Sequence, residues 1–154
     1  MADDPATQQR YLAEANKKVM QEAFFMKRAT DSSDTETAFT HASTMLKELK
    51  TTHLSPRNYY ELYMKVMDEL RHLEDFFTAL NRQGHPMVGL YEQAQSCSMV
   101  LPRLYLLITV GACYIVSKEA PARDILKDLL EMTKGVQHPM RGLFLRNYLS
   151  QATK

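Results

Sequence analysis

The pair of residues with the clearest potential for chemistry is Glu69 and His72, in the run Glu69-Leu-Arg-His72. Two ligands three residues apart share one face of a helix, and Glu-x-x-His is a ligand motif of di-iron carboxylate bundles. Such a centre needs the motif twice. The residues three positions before the other histidines are Ala38, Lys50, Arg82 and Gly135, so no second copy exists. We predict that Glu69 and His72 form a solvated helix face, and a metal-dependent helical enzyme is the alternative.

No other catalytic motif is recognisable in the chain. It has no glycine-rich phosphate loop, no nucleophile elbow and no His-Glu-x-x-His sequence. Cys97 and Cys113 are too far apart for a Cys-x-x-Cys site, and both lie in apolar sequence that is typical of free, buried thiols. The sequence therefore predicts neither an enzyme nor a bound cofactor.

The segment Pro102-Arg103-Leu104-Tyr105-Leu106 places an arginine at the beginning of the most apolar stretch of the chain. One interpretation is structural: Pro102 restarts a helix and the side chain of Arg103 extends to water. The other is functional, because arginine beside an apolar patch is typical of the residues that dominate protein interfaces. The local sequence leaves both interpretations open.

Start and stop signals along the chain predict helices throughout. Asp4-Pro5, Ser55-Pro56 and His138-Pro139 are N-cap and first-turn pairs, and Ser33 with Glu36 has the spacing of a capping box. Gly84 predicts the end of a helix. Further predicted helices run from about Met87 towards Leu101, from Arg103 to Val116, and from Pro121. No sustained alternation of apolar and polar residues predicts a strand, so we expect an all-α fold.

Composition limits the possible partners of this chain. Its 154 residues carry a net charge of +1, and its basic residues alternate with acids, so we expect neither nucleic acid nor direct membrane binding. The apolar run from Leu104 to Val116 is shorter than the roughly 20 residues that cross a bilayer and predicts a buried helix. The first ten residues resemble no targeting signal, so we expect a cytoplasmic protein.

Six or seven consecutive amphipathic helices can form either a closed bundle or a solenoid of stacked pairs. We favour a solenoid, for which irregular HEAT-like pairs are one possible form, because the last segment still carries apolar residues such as Leu143 and Phe144. Residues 1–154 are thus predicted to be a single helical domain cut from something longer.

Four runs carry a resemblance to a known family: LSPRNYYELYM, PRLYLLITVGACYIV, DILKDLLEM and GVQHPMRGLFLRNYLSQ. Together they resemble the N-terminal part of the vacuolar protein sorting-associated protein 35 family, the large scaffold subunits of retromer. The resemblance extends from about Phe25 to Gln151. It implies an α-solenoid of HEAT-like antiparallel helical pairs, with residues 1–154 as the N-terminal part of a longer solenoid. It also implies a scaffold without catalytic activity, located in the cytoplasm and peripherally on endosomal membranes, which the chain reaches only indirectly.

The resemblance also implies partners and a binding site. In this family the PRLYL motif holds the arrestin-like retromer subunit, a role that passes to Pro102, Arg103, Leu104, Tyr105 and Leu106. Arg103 and Leu104 are the two that we expect to matter most. This end of the solenoid also lies near sorting nexins and a Rab GTPase, whereas the phosphoesterase-like subunit binds the far end of the longer chain. A generic helical adaptor with another partner is the alternative.

The run HPMRGLFLRNYL has a predicted structural role. Pro139 is expected to open a helix, and Gly142 is expected to allow close packing, in preference to a partner site.

Overall fold

The computed structural model describes residues 4–153, which form seven α-helices and one short 3₁₀ helix and contain no strand. The α-helices are α1 (Pro5–Asp31), α2 (Thr35–Leu46), α3 (Pro56–Arg82), α4 (Met87–Gln95), α5 (Val100–Ser117), α6 (Ala122–Lys134) and α7 (Pro139–Ala152), and the 3₁₀ helix is Lys47–Lys50. The predicted all-α fold is confirmed.

Side-chain caps begin three of the helices as predicted. The Asp4 carboxylate accepts a hydrogen bond from the Thr7 backbone N–H at 2.7 Å. The Ser55 hydroxyl accepts one from the Asn58 N–H at 3.3 Å. At α7, Nδ1 of His138 accepts from the Arg141 N–H at 3.3 Å. In each case a proline follows the cap, where its missing N–H leaves no hydrogen bond unmade.

The capping box predicted for Ser33 and Glu36 is wrong. Asp34 caps α2 instead, and its carboxylate accepts a hydrogen bond from the Thr37 N–H at 3.1 Å. Ser33 has a φ of 57° and ends α1. The N–H of Asp34 donates to the Ala29 carbonyl at 2.9 Å, as in a Schellman motif. A serine in the left-handed conformation serves here as the C′ residue and is therefore unavailable as an N-cap.

Gly84 ends α3 with the same motif, as predicted. Its φ is 99°, and the N–H of the following His85 donates to the Leu80 carbonyl at 3.0 Å.

The predicted boundary at Pro102 is wrong by several residues. Helix α4 ends at Gln95, and α5 begins at Val100, so the break lies at residues 96–99. Pro102 is the third residue of α5. Its ring is tolerated because the N–H groups of a helix's first turn have no partner within the helix.

Helix α5 lies at the centre of the structure and contacts α2, α3, α4, α6 and α7. Among the described residues it is the one helix long and apolar enough to cross a membrane, with a mean hydropathy of 1.7 over Val100–Ser117. Of this stretch, 67% is buried within the protein, as in the core helix of a globular fold. The predicted buried helix is confirmed.

Candidate partner-binding surface

The first turn of α5 sets the position of the predicted binding motif. Met99 is the N-cap and makes no side-chain capping hydrogen bond, and the turn contains no acidic residue. The backbone N–H of Arg103 donates to the Met99 carbonyl at 2.9 Å. The motif therefore lies on regular helix, and its side chains point in directions set by the helical repeat.

Arg103 is the residue of the motif that reaches the surface. Its side chain is half-buried, and Nη1 donates to the Cys97 carbonyl at 3.2 Å. Within residues 4–153 it forms no ion pair. A cation this close to a helix N-terminus opposes the helix dipole, so helix stability does not account for its presence. The guanidinium has further N–H donors that an acidic partner group is able to use.

The other four residues of the motif lie in the core. Pro102 is buried, Leu104 is 6% exposed, and Tyr105 and Leu106 are completely buried. Leu104 therefore packs inside the protein, although sequence reasoning placed it beside Arg103 as a principal contact. The binding roles of all five residues remain predictions.

Val100 is an exposed apolar neighbour that sequence reasoning missed. It is 58% exposed and lies three residues before Arg103, so both side chains occupy one face of α5. The spacing is visible in the sequence. The shared face was missed because the helix was predicted to restart at Pro102, which would leave Val100 outside it.

The turn before α5 is held in place by Cys97. Its Sγ lies 3.1 Å from the Ser43 hydroxyl of α2 and donates to the Met99 carbonyl at 3.7 Å. Because Arg103 donates to the Cys97 carbonyl, the turn links the arginine to α2. Cys97 and Cys113 are both free thiols, as predicted.

Tyr105 is a buried, uncharged residue of the motif that packs against α7. Its ring centroid lies 5.4 Å from that of Tyr148 in α7. The Tyr148 hydroxyl shares a hydrogen bond with Thr109 Oγ1 at 2.6 Å. Burial raises the pKa of both tyrosines, so both stay neutral at physiological pH. The two tyrosines therefore contribute no charge of their own to the surface.

The Glu69 and His72 pair does not form the solvated face that we predicted. Glu69 is 8% exposed, and its Oε2 lies 2.9 Å from Nζ of Lys27 in α1. His72 is exposed, as expected. The prediction failed for Glu69 because α1 packs across that side of α3. The described part of the chain brings together no group of three His, Cys, Asp or Glu side chains able to hold a metal.

Comparison with known proteins agrees with the motifs. The family model of vacuolar protein sorting-associated protein 35 matches residues 11–154. The chain is 49% identical over 154 residues to vacuolar protein sorting-associated protein 35A of Arabidopsis thaliana, covering 100% of this chain and 20% of that protein. It is 49% identical over 147 residues to vacuolar protein sorting-associated protein 35 of Dictyostelium discoideum, covering 96% and 19%. The chain thus spans about a fifth of the length of these relatives.

The family match and the helical fold support one another. The family model covers the runs that carry the resemblance, including PRLYL and HPMRGLFLRNYL. The predicted α-solenoid is confirmed, since this family has a helical solenoid fold and the described residues form consecutive helices. The chain belongs to the vacuolar protein sorting-associated protein 35 family.

Proposed function

We propose that this chain is a segment of a retromer scaffold and binds the arrestin-like retromer subunit through Arg103. In this role it supports cargo sorting on endosomes and retrograde transport to the trans-Golgi network or the plasma membrane. The observation that carries the proposal is that Arg103, in a chain of this family, is only half-buried and has no ion-pair partner among the described residues.

The five residues of the motif have separate roles in this proposal. Arg103 makes charge-assisted contacts with the partner, and Val100 adds apolar contact area beside it. Leu104, Tyr105 and Leu106 anchor α5 in the core and hold Arg103 in its position. Pro102 stiffens the first turn, where its ring fixes the φ angle.

Family membership supports a wider arrangement, which is part of this proposal. Residues 1–154 are the N-terminal part of a longer scaffold, whose other regions bind the phosphoesterase-like subunit. Sorting nexins and a Rab GTPase bind near the segment described here. The chain works as a scaffold without catalysis or cofactor and reaches the endosomal membrane from the cytoplasm through its partners. The match of this chain to about a fifth of the length of its relatives supports this arrangement.

Replacing Arg103 by alanine tests the proposal directly. We expect binding to the purified arrestin-like subunit to weaken by at least about 2 kcal/mol, or about 30-fold, as for an interface arginine. Isothermal titration calorimetry measures the affinity, and circular dichroism checks that helicity is unchanged. Arg123→Ala is the matched control, because Arg123 is exposed at the beginning of α6 and makes no ion pair among the described residues.

Two outcomes would overturn the proposal. Equal affinities of wild type and Arg103→Ala would remove Arg103 from the interface. Absence of binding by the folded wild-type chain would favour a generic helical adaptor with a different partner.

A further inference from the structure

A pocket with basic residues opens beside the first turn of α5, on the side of the 3₁₀ helix and α7. Its volume is about 320 Å³, and its walls include Lys50, His138 and Arg141. The apolar wall is formed by Val100, Leu101 and Val136. None of the residues that line the pocket is an aspartate or a glutamate.

The basic groups of this pocket have no acidic partner in the described part of the chain. Neither Lys50 nor Arg141 takes part in an ion pair there. Nη2 of Arg141 donates to the backbone carbonyl of Lys50, which links α7 to the 3₁₀ helix. Nε of Arg141 is buried and has no hydrogen-bond partner within residues 4–153. A buried donor without a partner costs free energy.

His138 adds a second potential donor. Its Nδ1 accepts a hydrogen bond from the Arg141 backbone N–H, so a neutral imidazole here carries its proton on Nε2. The pocket is therefore lined by donors and cations and by apolar carbon. Its chemistry is complementary to a carboxylate next to an apolar group.

We infer that this pocket receives an acidic side chain of the same protein partner that Arg103 contacts. The inference rests on the proposed function. It is argued from continuity, because Val100 lines the pocket and lies one helical turn before Arg103. A partner surface that covers Val100 would reach Arg103 on one side and the pocket on the other. The volume is at the small end for ligand sites and suits one or two side chains.

The inference gives a second role to the run HPMRGLFLRNYL. Its predicted structural role also stands: Pro139 begins α7, and a Cβ atom on Gly142 would lie 2.8 Å from the Val136 carbonyl oxygen. That close approach brings Val136 against the first turn of α7. The same run contributes His138 and Arg141 to the pocket. One motif thus shapes the pocket and supplies its donors.

Reversing the charge of Lys50 tests the pocket without changing its backbone contact. Lys50→Glu is expected to bind the arrestin-like subunit at least about tenfold more weakly, since an acid would face the incoming carboxylate. Lys50→Ala is expected to have an intermediate affinity. Lys47→Glu is the matched control, because Lys47 lies on the same 3₁₀ helix but does not line the pocket. We expect Lys47→Glu to bind within about twofold of wild type.

Titrations in low and high salt add a second readout. The difference between Lys50→Glu and Lys47→Glu should shrink in about 0.5 M NaCl, where exposed charges are screened. Equal affinities of Lys50→Glu and Lys47→Glu, with Arg103→Ala still impaired, would overturn the pocket inference and leave the proposed function standing. If Arg103→Ala also binds like wild type, or if wild type does not bind, both fail. Thermal melts confirm that all the variants are folded.

Discussion

Two charged sites in this protein differ in what neutralises them. Glu69 of α3 is almost completely buried and lies against Lys27 of α1. Arg103 of α5 is half-buried and donates to a backbone carbonyl, and it forms no ion pair among the described residues. The first site satisfies its charge inside the chain. The second leaves its charge without an ion-pair partner among the described residues.

The comparison distinguishes a charge that affects the stability of the fold from a charge that is free to affect binding. A charge paired across two helices fixes how those helices pack, and its removal is felt in folding. An unpaired cation at the surface contributes little to folding and keeps its donors for a partner. The next residue along α5, Leu104, lies in the core. Substitution of Leu104 should therefore change stability, whereas substitution of Arg103 should leave stability almost unchanged.

The largest expected effect on stability is that of Leu104→Ala. Leu104 is 6% exposed, and its truncation leaves a cavity beside α5, so the free energy of unfolding should fall by about 3 kcal/mol. Leu130→Ala is the control, because Leu130 is 50% exposed and its loss should cost no more than about 0.5 kcal/mol. Urea denaturation measures both. Similar values for the two variants would show that Leu104 is not a core residue.

An intermediate effect is expected for the ion pair of Lys27 and Glu69. A double-mutant cycle with Lys27→Met and Glu69→Gln should give a coupling free energy of about 0.5–1 kcal/mol. The value is modest because the Lys27 side chain is 40% exposed and water screens the pair. The coupling should decrease in 1 M NaCl. A coupling of zero in low salt would show that the ion pair of Lys27 and Glu69 does not stabilise the packing of α1 against α3.

The smallest expected effect on stability is that of Arg103→Ala. Its hydrogen bond to the Cys97 carbonyl is partly open to solvent, so water is able to replace the lost donor. We expect the free energy of unfolding to change by no more than about 0.5 kcal/mol in urea denaturation. A loss comparable to that of Leu104→Ala would mean that Arg103 is a structural residue and would weaken its assignment as a partner contact.

Local signals predicted the existence and order of the helices but not every boundary. Asp4, Ser55 and His138 act as caps because a cap depends on residues within one helical turn. The sequence around Ser33 is compatible with both an N-cap and a turn, and Ser33 adopts the left-handed turn conformation. The start of α5 was missed because proline inside a first turn and proline that restarts a helix have similar sequence patterns.

The sequence pointed to the PRLYL run as a candidate binding motif, but not to which of its side chains are exposed and which are buried. The PRLYL run and its family resemblance point to the beginning of the apolar helix. Which of its side chains reaches the surface depends on how the neighbouring helices surround α5. The pocket of Lys50, His138 and Arg141 had no sequence signal, because Lys50 and Arg141 are 91 residues apart in the chain.

The sequence by itself determined an all-α chain with a buried apolar helix at α5 and an arginine near its beginning. These features follow from periodicity, capping residues and composition, which act over a few residues. Only the tertiary structure decided that Glu69 is buried against Lys27, that Leu104 faces the core and that Arg103 forms no ion pair among the described residues. Burial and charge pairing depend on helices distant in the chain, and a local pattern contains no record of which face those helices cover.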